Sequence, residues 1–504
     1  MTRTPLPIDP VLPHVLAALR DSSAIVLQAP PGAGKTTRVP PALLDAGEFS
    51  GRIILLEPRR IAARAAARRM SVERGTVPGD LFGWQVRFER QATQNTRVLA
   101  VTPGILLRLL LDDPFLDGTA AVVFDEFHER GLETDLALGL VHLVQANVRP
   151  DLKLVVMSAT LQAGDVAAYL GGCPVITSEG RTFPVEVRFE PKREDDRWPR
   201  ATAKAVARIL DETPGDVLAF LPGVGEIRAA AEDLAELISD DALILPLHGE
   251  LPAEEQDRAL QPQGRRKIVL ATNVAETSVT MDGVTAVVDT GLARQLIYDP
   301  SVGLDRLELV NISRASADQR AGRAGRTQPG VCVRLWSEVS HRSRPAQTEP
   351  EIKRVDLAGA ALQLLAMGES VETFPWLDPP LEHVVRQSIE LLERIGGLER
   401  GRLTDLGRSL ARLPVHPRLG RLLLEGARLG EPRRVALAAA LLSERDPFPR
   451  GPATHTTPSD LLDRVEALEG EGSSLGPTNR GAARFILRAR DQLVRLLEHS
   501  SPPT

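Results

Sequence analysis

Two short stretches hold most of the residues able to do chemistry. The first, FDEFHERGLETDLALG at 124–139, places Asp125, Glu126, His128, Glu129 and Arg130 directly behind the apolar run AVVF. A His and a Glu so close together suggest a zinc-binding HExxH helix. That motif needs a second His one helical turn later, and the position it would occupy holds Leu132. What remains is an acidic pair at the carboxyl end of a buried strand, and such a pair needs a partner elsewhere.

The partner lies upstream in APPGAGKTT at 29–37, between the strand-like AIVLQ and a helical segment. Glycines let successive backbone amides turn toward a β-phosphate. Lys35 reaches the β and γ oxygens, and the Thr36 hydroxyl suits Mg²⁺. Pro31, Gly32, Ala33, Gly34, Lys35, Thr36 and Thr37 are therefore the candidate nucleotide-binding positions. The first glycine of GxxxxGK[ST] is replaced by Ala29, a small residue the turn tolerates. A chance Gly-rich turn is the competing reading, and the strand-loop-helix context counts against it.

With a phosphate loop in place, DEFH reads as a Walker B element. Asp125, with Thr36 and Glu126, forms the candidate metal set. Glu126 would also position or deprotonate the attacking water, because phosphoryl transfer is mostly positioning plus charge stabilisation. If the strand continues through both acids, they point to opposite sides. The alternative is that both cap a following helix.

Charge developing on a γ-phosphate needs cations, and DQRAGRAGRTQPG at 318–330 supplies them. Arg320, Arg323 and Arg326 recur every three residues and line one face of a Gly-broken helix. A solvated basic face competes with this reading; the small Gly and Ala between them favour close approach to an anion. Arg323 and Arg326 are the arginine-finger candidates and Gln319 the water-orienting one. The candidate catalytic set is thus Lys35, Glu126, Gln319, Arg323 and Arg326.

These residues require a scaffold of at least two cores, since 504 residues exceed one. AIVLQA, RIILLE, RVLAVT, AAVVFDE and LKLVVMSAT read as buried strands separated by helix-length segments such as IAARAAARRMSVERG and TPGILLRLLL, the pattern of a covered parallel sheet. A second series, DVLAFLPG, ALILPLHG, KIVLATNVAE, AVVDTG and VCVRLW, predicts another sheet, with the boundary near SEGRTFPVEV. Beyond about residue 340 helical periodicity dominates, with a strand-like return at GGLERGRLTD; helices plus a small hairpin suggest a winged helix, and the rest a bundle. The expected fold class is α/β, with domains at 1–180, 181–340, 341–406 and 407–504. The second lobe has no GK[ST], and its LPGVGEI reads as a turn, so one nucleotide would sit between lobes and react when they close.

Composition narrows the setting. A net charge of −6 argues mildly against a dedicated nucleic-acid binder, although one Arg-lined groove is compatible with it. Two isolated cysteines, Cys173 and Cys332, make a disulfide framework or a cysteine zinc site unlikely and fit a reducing cytoplasm. No apolar run reaches membrane-spanning length, and MTRTPLPIDP lacks signal-peptide regions, so a cytoplasmic protein without a membrane partner is expected.

The ordered set GAGKTT, LEPRR, VTPG, DEFH, SAT, FLPG, ATNVAETS and QRAGRAGR resembles the superfamily 2 DEAH/RHA helicases over nearly all of residues 20–340, and DEFHER with LPGVGEI looks most like the bacterial HrpB-type branch. That resemblance implies two RecA-like lobes, a winged helix and a ratchet-like helical bundle. It also implies Mg²⁺-dependent hydrolysis of ATP and translocation 3′ to 5′ on single-stranded nucleic acid, RNA before DNA. Ser158 and Thr160 would couple hydrolysis to lobe movement. His128 would link the nucleotide site to the second lobe, with Glu129 and Arg130 as local support. Strand contacts would fall on Arg59, Arg60, Thr102, Gly223, Thr272 and Asn273, while Asp282 would approach the nucleotide. QLIYDPSVGLDRLELV at 295–310 fits the family's duplex-propping hairpin, and a plain surface hairpin fits it equally. Leu260 stands where an aromatic often sandwiches the base, which implies that any NTP serves. The branch usually carries a long C-terminal region, so a shortened form is expected, acting as a monomer. An NTPase switch that clamps without unwinding shares the same motifs. A catalytically dead scaffold is disfavoured by the presence of Lys35, Asp125, Glu126 and Arg326.

Overall fold

The structure, a computed structural model, describes residues 5–499 except 88, 160–162, 181–182, 239–241, 278–280, 282, 300–302, 445, 449–456, 458, 471–474 and 477. Thr160, Asp282 and the middle of the DPSVG turn therefore lie outside the described residues. Two compact units emerge, one of residues 1–106 with 115–355 and one of 107–114 with 356–504.

The first unit holds two sheets. In the first lobe, strands β1 (Ala24–Gln28), β2 (Arg52–Leu56), β3 (Phe82–Val86), β4 (Glu89–Gln91), β5 (Val98–Val101), β6 (Thr119–Phe124), β7 (Lys153–Ser158) and β8 (Val175–Thr177) lie in the order β4-β3-β5-β2-β6-β7-β1-β8. All pairs are parallel except β3 with β4. Because β7 lies between β1 and β6, the phosphate loop after β1, Ser158 at the end of β7 and the acids after β6 emerge side by side. Ligands of open parallel sheets bind at such carboxyl ends.

In the second lobe, β9 (Val185–Phe189), β10 (Asp216–Phe220), β11 (Ala242–Leu247), β12 (Arg266–Ala271), β13 (Val284–Asp289) and β16 (Gly330–Arg334) form an all-parallel sheet in the order β11-β12-β10-β13-β16-β9. Both faces are covered, and the period of two decides which residue goes where. Leu218 and Phe220 pack on one face and Val217 and Ala219 on the other. That double burial is why these strands read as unbroken apolar runs. Between β13 and β16, β14 (Leu292–Asp299) and β15 (Leu304–Asn311) pair as an antiparallel hairpin at the place expected from 295–310.

Several strands end earlier than their apolar runs suggest: β6 stops at Phe124, β10 at Phe220 and β12 at Ala271. Strand β9 begins inside the stretch read as a boundary, and the short β3, β4 and β8 are strands that the sequence reading did not name. In the second unit, the helix Glu382–Arg394, the hairpin of Leu398–Glu399 with Arg402–Leu403 and the helix Asp405–Ala411 form the winged helix. Thr404 caps the last of these by accepting the Gly407 amide at 2.9 Å. Helices Pro417–Arg428, Pro432–Ser443, Asp460–Glu469 and Arg480–His499 make the bundle, with Pro432–Ser443 packed on Arg480–His499.

Candidate active site

The phosphate loop is built by glycines at positive φ. Gly32 lies at +83° and Gly34 at +96°, conformations an L side chain resists, and Gly34 hands the chain into the helix Lys35–Asp45. Lys35 is 4% exposed, and its ammonium donates to the carbonyls of Ala29 at 2.8 Å and Pro30 at 3.4 Å. The Thr36 hydroxyl donates to Asp125 Oδ2, so two of the three candidate metal positions already touch.

The acids do not alternate along a strand as the sequence suggests. Asp125 still has its amide on Leu56 O at 2.9 Å, but Glu126 turns into the left-handed region at φ 46° and starts a short 3₁₀ turn, Phe127–Glu129. That turn, rather than strand pleating, separates the two carboxylates. Burial and the charge on Glu126 push the Asp125 carboxyl above its ordinary range, against Lys35 and the Thr36 hydrogen bond. Burial acts the same way on Glu126, but Lys35, His128, Arg323 and Arg326 outweigh it and hold that carboxyl low, hence ionised. Glu126 Oε2 is buried and receives no hydrogen bond among the described residues. A free buried lone pair beside a lysine and two arginines suits a water to be activated.

His128 joins two motifs. Its Nδ1 lies 3.5 Å from Glu126 Oε2 and 3.4 Å from the Ala159 amide, next to Ser158, whose carbonyl accepts the Ala29 amide of the phosphate loop at 3.1 Å.

The three arginines divide between two surroundings, Arg320 and Arg323 at Glu276 and Arg326 at the phosphate loop. Arg320 ends the helix Arg314–Ala321 and turns into the lobe, where it is 1% exposed. It donates to Glu276 Oε2 and Asp289 Oδ1, each at 2.8 Å, above the ring of Phe220. The helix then tightens into a 3₁₀ turn, Gly322–Gly325, in which positions three apart eclipse. Arg323 donates to Glu276 O at 2.8 Å, and burial together with neighbouring Arg326 weighs against its charge, while Glu126 and Glu276 support it. Arg326 lies against the phosphate loop, since a Cβ on Gly32 would sit 3.6 Å from its Nε. Gln319 is half-buried on the same helix.

Residues singled out for strand contacts are dispersed. Arg59 bridges the lobes, donating to Asn273 O and to Glu129 Oε2 at 3.2 Å, and Glu129 also accepts the Thr277 hydroxyl. Arg60 is exposed; Thr102 precedes the helix Pro103–Asp112 and Thr272 the 3₁₀ turn Asn273–Ala275, and Gly223 faces Glu226 and Arg294. Arg130 pairs with Asp135 at 2.8 Å. Two residues escaped the sequence reading. Glu57, at the end of β2, is 1% exposed; burial and the Asp125 charge raise its carboxyl well above the ordinary range. An acid closing the run RIILLE beside the DEFH strand was the available signal. Glu276 gathers Ser316, Arg320 and Arg323, which only the folded chain reveals.

Among the described residues no cluster of three His, Cys, Asp or Glu side chains could hold a metal by itself. Thr36 and Asp125 nonetheless fit Mg²⁺, an ion usually held by one or two protein oxygens with phosphate and water completing the shell.

Known proteins match this arrangement. Residues 11–168 match the DEAD/DEAH box helicase model, 201–328 the helicase conserved C-terminal domain and 388–415 the winged-helix helicase associated domain (HA2). The chain is 42% identical over 503 residues to the ATP-dependent RNA helicase HrpB of Escherichia coli (strain K12), covering 97% of this chain and 62% of that protein. The chain belongs to the DEAH/RHA helicase family. Over 458 residues it is 39% identical to the ATP-dependent RNA helicase HrpA of the same organism, covering 88% of this chain and 35% of that one. Crystal structures described as the Escherichia coli DEAH/RHA helicase HrpB and the E. coli DExH-box NTPase HrpB superpose with TM-scores of 0.85 and 0.82 at 39% and 40% identity. They cover 98% and 99% of this chain, which spans 63% and 59% of theirs. A DEAH/RHA chain with about three fifths of HrpB's length thus retains both RecA-like lobes and the winged helix.

Proposed function

We propose that this chain is an ATP-dependent RNA helicase motor that hydrolyses one nucleotide between its two lobes and moves 3′ to 5′ along single-stranded RNA. The observation that carries the reading is Arg326 of the second lobe lying on Gly32 of the first lobe's phosphate loop, opposite the buried Glu126. Loop amides and Lys35 bind the phosphates. Thr36 and Asp125 would hold Mg²⁺, which neutralises phosphate charge when bound. Glu126 Oε2 orients the attacking water and takes its proton. Gln319 helps place that water, and Arg323 and Arg326 stabilise the charge that develops on the transferred group. His128 and Ser158 pass the state of the site to the lobes; Thr160, expected to act with them, and Asp282, expected near the nucleotide, lie outside the described residues.

The RNA substrate follows the names of the two relatives. Arg59, Arg60 and Thr102 in one lobe and Gly223, Thr272 and Asn273 in the other grip the phosphate backbone without reading sequence. Leu260 packs into its own lobe's core and offers the base no aromatic face, so NTPs other than ATP serve as well. The domains divide at 1–180, 181–340, 341–406 and 407–504. Free Cys173 and Cys332 fit a cytoplasmic protein, and the chain acts as a monomer on this reading.

Strand displacement with 3′-tailed and 5′-tailed RNA and DNA duplexes, measured beside NTPase rates, tests the proposal. Displacement of 3′-tailed RNA is expected. Hydrolysis without displacement of any duplex would replace the motor with an NTPase switch, and a preference for DNA or for 5′ tails would overturn substrate or polarity.

A further inference from the structure

We infer that residues 344–354, which carry none of the helicase motifs, form a strap that positions the β14–β15 hairpin in response to the nucleotide site; the inference rests on the motor reading above. The strap makes contact at four places. At the hairpin root, Arg344 is 6% exposed and donates to Gly291 O at 2.7 Å and Ile312 O at 3.0 Å, the residues flanking the two strands. Its guanidinium lies 4.3 Å over Trp336. Only glycine permits this approach, because Gly291 has φ +70° and a Cβ there would stand 2.5 Å from Arg344 Nη2 and 2.6 Å from Trp336.

The next two carbonyls reach the arginine motif. Pro345 O and Ala346 O accept the amides of Arg314 and Ala315 at 2.9 and 3.1 Å, and the Thr348 hydroxyl donates to Ser313 Oγ at 3.1 Å. These close the amino end of the helix that runs into Arg323 and Arg326, satisfying amides that have no partner within the helix.

The strap then crosses to the first lobe. The Glu351 amide donates to Arg130 O at 3.1 Å, and its carboxylate accepts the Leu132 amide at 3.0 Å, both within the turn that follows the Walker B acids. Finally it returns to the hairpin, where Arg354 O accepts the Tyr298 amide at 2.8 Å and Arg354 Nη1 donates to Leu296 O. A second connection lies inside the lobe: Asp289 Oδ1 takes both Arg320 Nη1 and the Gly291 amide at 2.8 Å.

The hairpin is therefore bonded at its root to the segment that fixes the arginine helix and along its edge to the segment that holds the acid turn. Motion of one lobe against the other changes the distance between Arg130 and Arg314. With both ends of the strap held, that change must appear either in the hairpin's stance or in broken strap bonds, and bonds made in only one state are what couple two sites. Arg344, Glu351 and Arg354 are positioning residues with no place in hydrolysis.

The decisive variants are Glu351→Ala, which strips the Leu132 amide of its acceptor, and Glu351→Gln, which keeps an oxygen there. E351A is expected to hydrolyse ATP with RNA within about twofold of the parent while displacing about two- to thirtyfold less duplex per ATP, with E351Q restoring the ratio. Amide hydrogen exchange across 292–311, with and without a non-hydrolysable ATP analogue, supplies a readout independent of unwinding. Nucleotide should alter hairpin protection in the parent and in E351Q but not in E351A. The strap is refuted if nucleotide alters the hairpin equally in E351A, leaves it unaltered in the parent, or if displacement and hydrolysis fall together. A parent that hydrolyses without displacing duplex removes the motor reading alone, and the exchange data still decide the strap.

Discussion

The two lobes share a fold and divide the chemistry by charge. The first buries Glu57, Asp125 and Glu126 around the carboxyl ends of β2 and β6, and carries after β1 a phosphate loop with the buried Lys35; Arg38 and Arg64 are buried in the same lobe. The second buries Arg320, Arg323, Arg334 and Arg344, and after β10 it has LPGVGEI in place of GKTT. The proposed metal site thus lies in one lobe, and the buried charge of the other is mostly basic. On the proposed reading, neither half would both bind and discharge a triphosphate. Chemistry that depends on contact between lobes is what converts hydrolysis into motion, and duplication of a fold did not duplicate its site.

Removing the second lobe's contribution is the strongest way to break this division. Arg326→Ala should lower kcat about a thousandfold or more while nucleotide affinity, set by the first lobe, changes little. Single-turnover hydrolysis beside equilibrium binding checks it. A variant with near-parental turnover would mean that the first lobe is catalytically complete.

On the acidic side, Glu126→Gln should cost about 10²- to 10⁴-fold in hydrolysis with binding intact. Retained turnover would dismiss Glu126 as the group that handles water and point to its neighbour Asp125 instead.

Between the arginines themselves the difference is one of stability. Arg320 is paired with Asp289, which is 0% exposed, and removing one member of such a buried pair strands the other charge. Arg320→Ala should therefore destabilise the second lobe by about 3–5 kcal/mol in a denaturant titration. Arg326→Ala should move the same transition less, since Arg326 lies against the first lobe's phosphate loop while Arg320 is bonded to a fully buried acid.

That contrast shows where sequence reading succeeds and where it stops. GKTT and DEFH were legible because phosphate and metal binding tie residue types to fixed spacings next to a strand. Runs such as AAVVFDE disclosed the sheets because double burial leaves no polar alternation to interpret. Strand ends were less legible, since Glu126 turns left-handed without any glycine to announce it. The spacing of Arg320, Arg323 and Arg326 was less informative about partners: Arg320 and Arg323 both meet Glu276, while Arg326 reaches the phosphate loop. The segment 344–354 gave no signal because its contacts, divided between backbone groups and the side chains of Arg344, Thr348, Glu351 and Arg354, follow no fixed spacing.

The smallest effect separates lobe movement from lobe opening. Each lobe has one cysteine: Cys173, partly exposed just before β8, and Cys332, buried within β16. Burial raises both thiols, and at Cys332 the charge of Asp289 adds to it, so reactive thiolate is scarcest there. In the native protein a thiol reagent should modify Cys173 slowly and leave Cys332 untouched until denaturant opens the second lobe. If hydrolysis moves the lobes as intact bodies, adding ATP and RNA changes neither result at Cys332, because the core of the second sheet never opens. Labelling of Cys332 during turnover would mean that the basic half flexes internally, and the charge division would then belong to a deformable lobe rather than to two rigid ones.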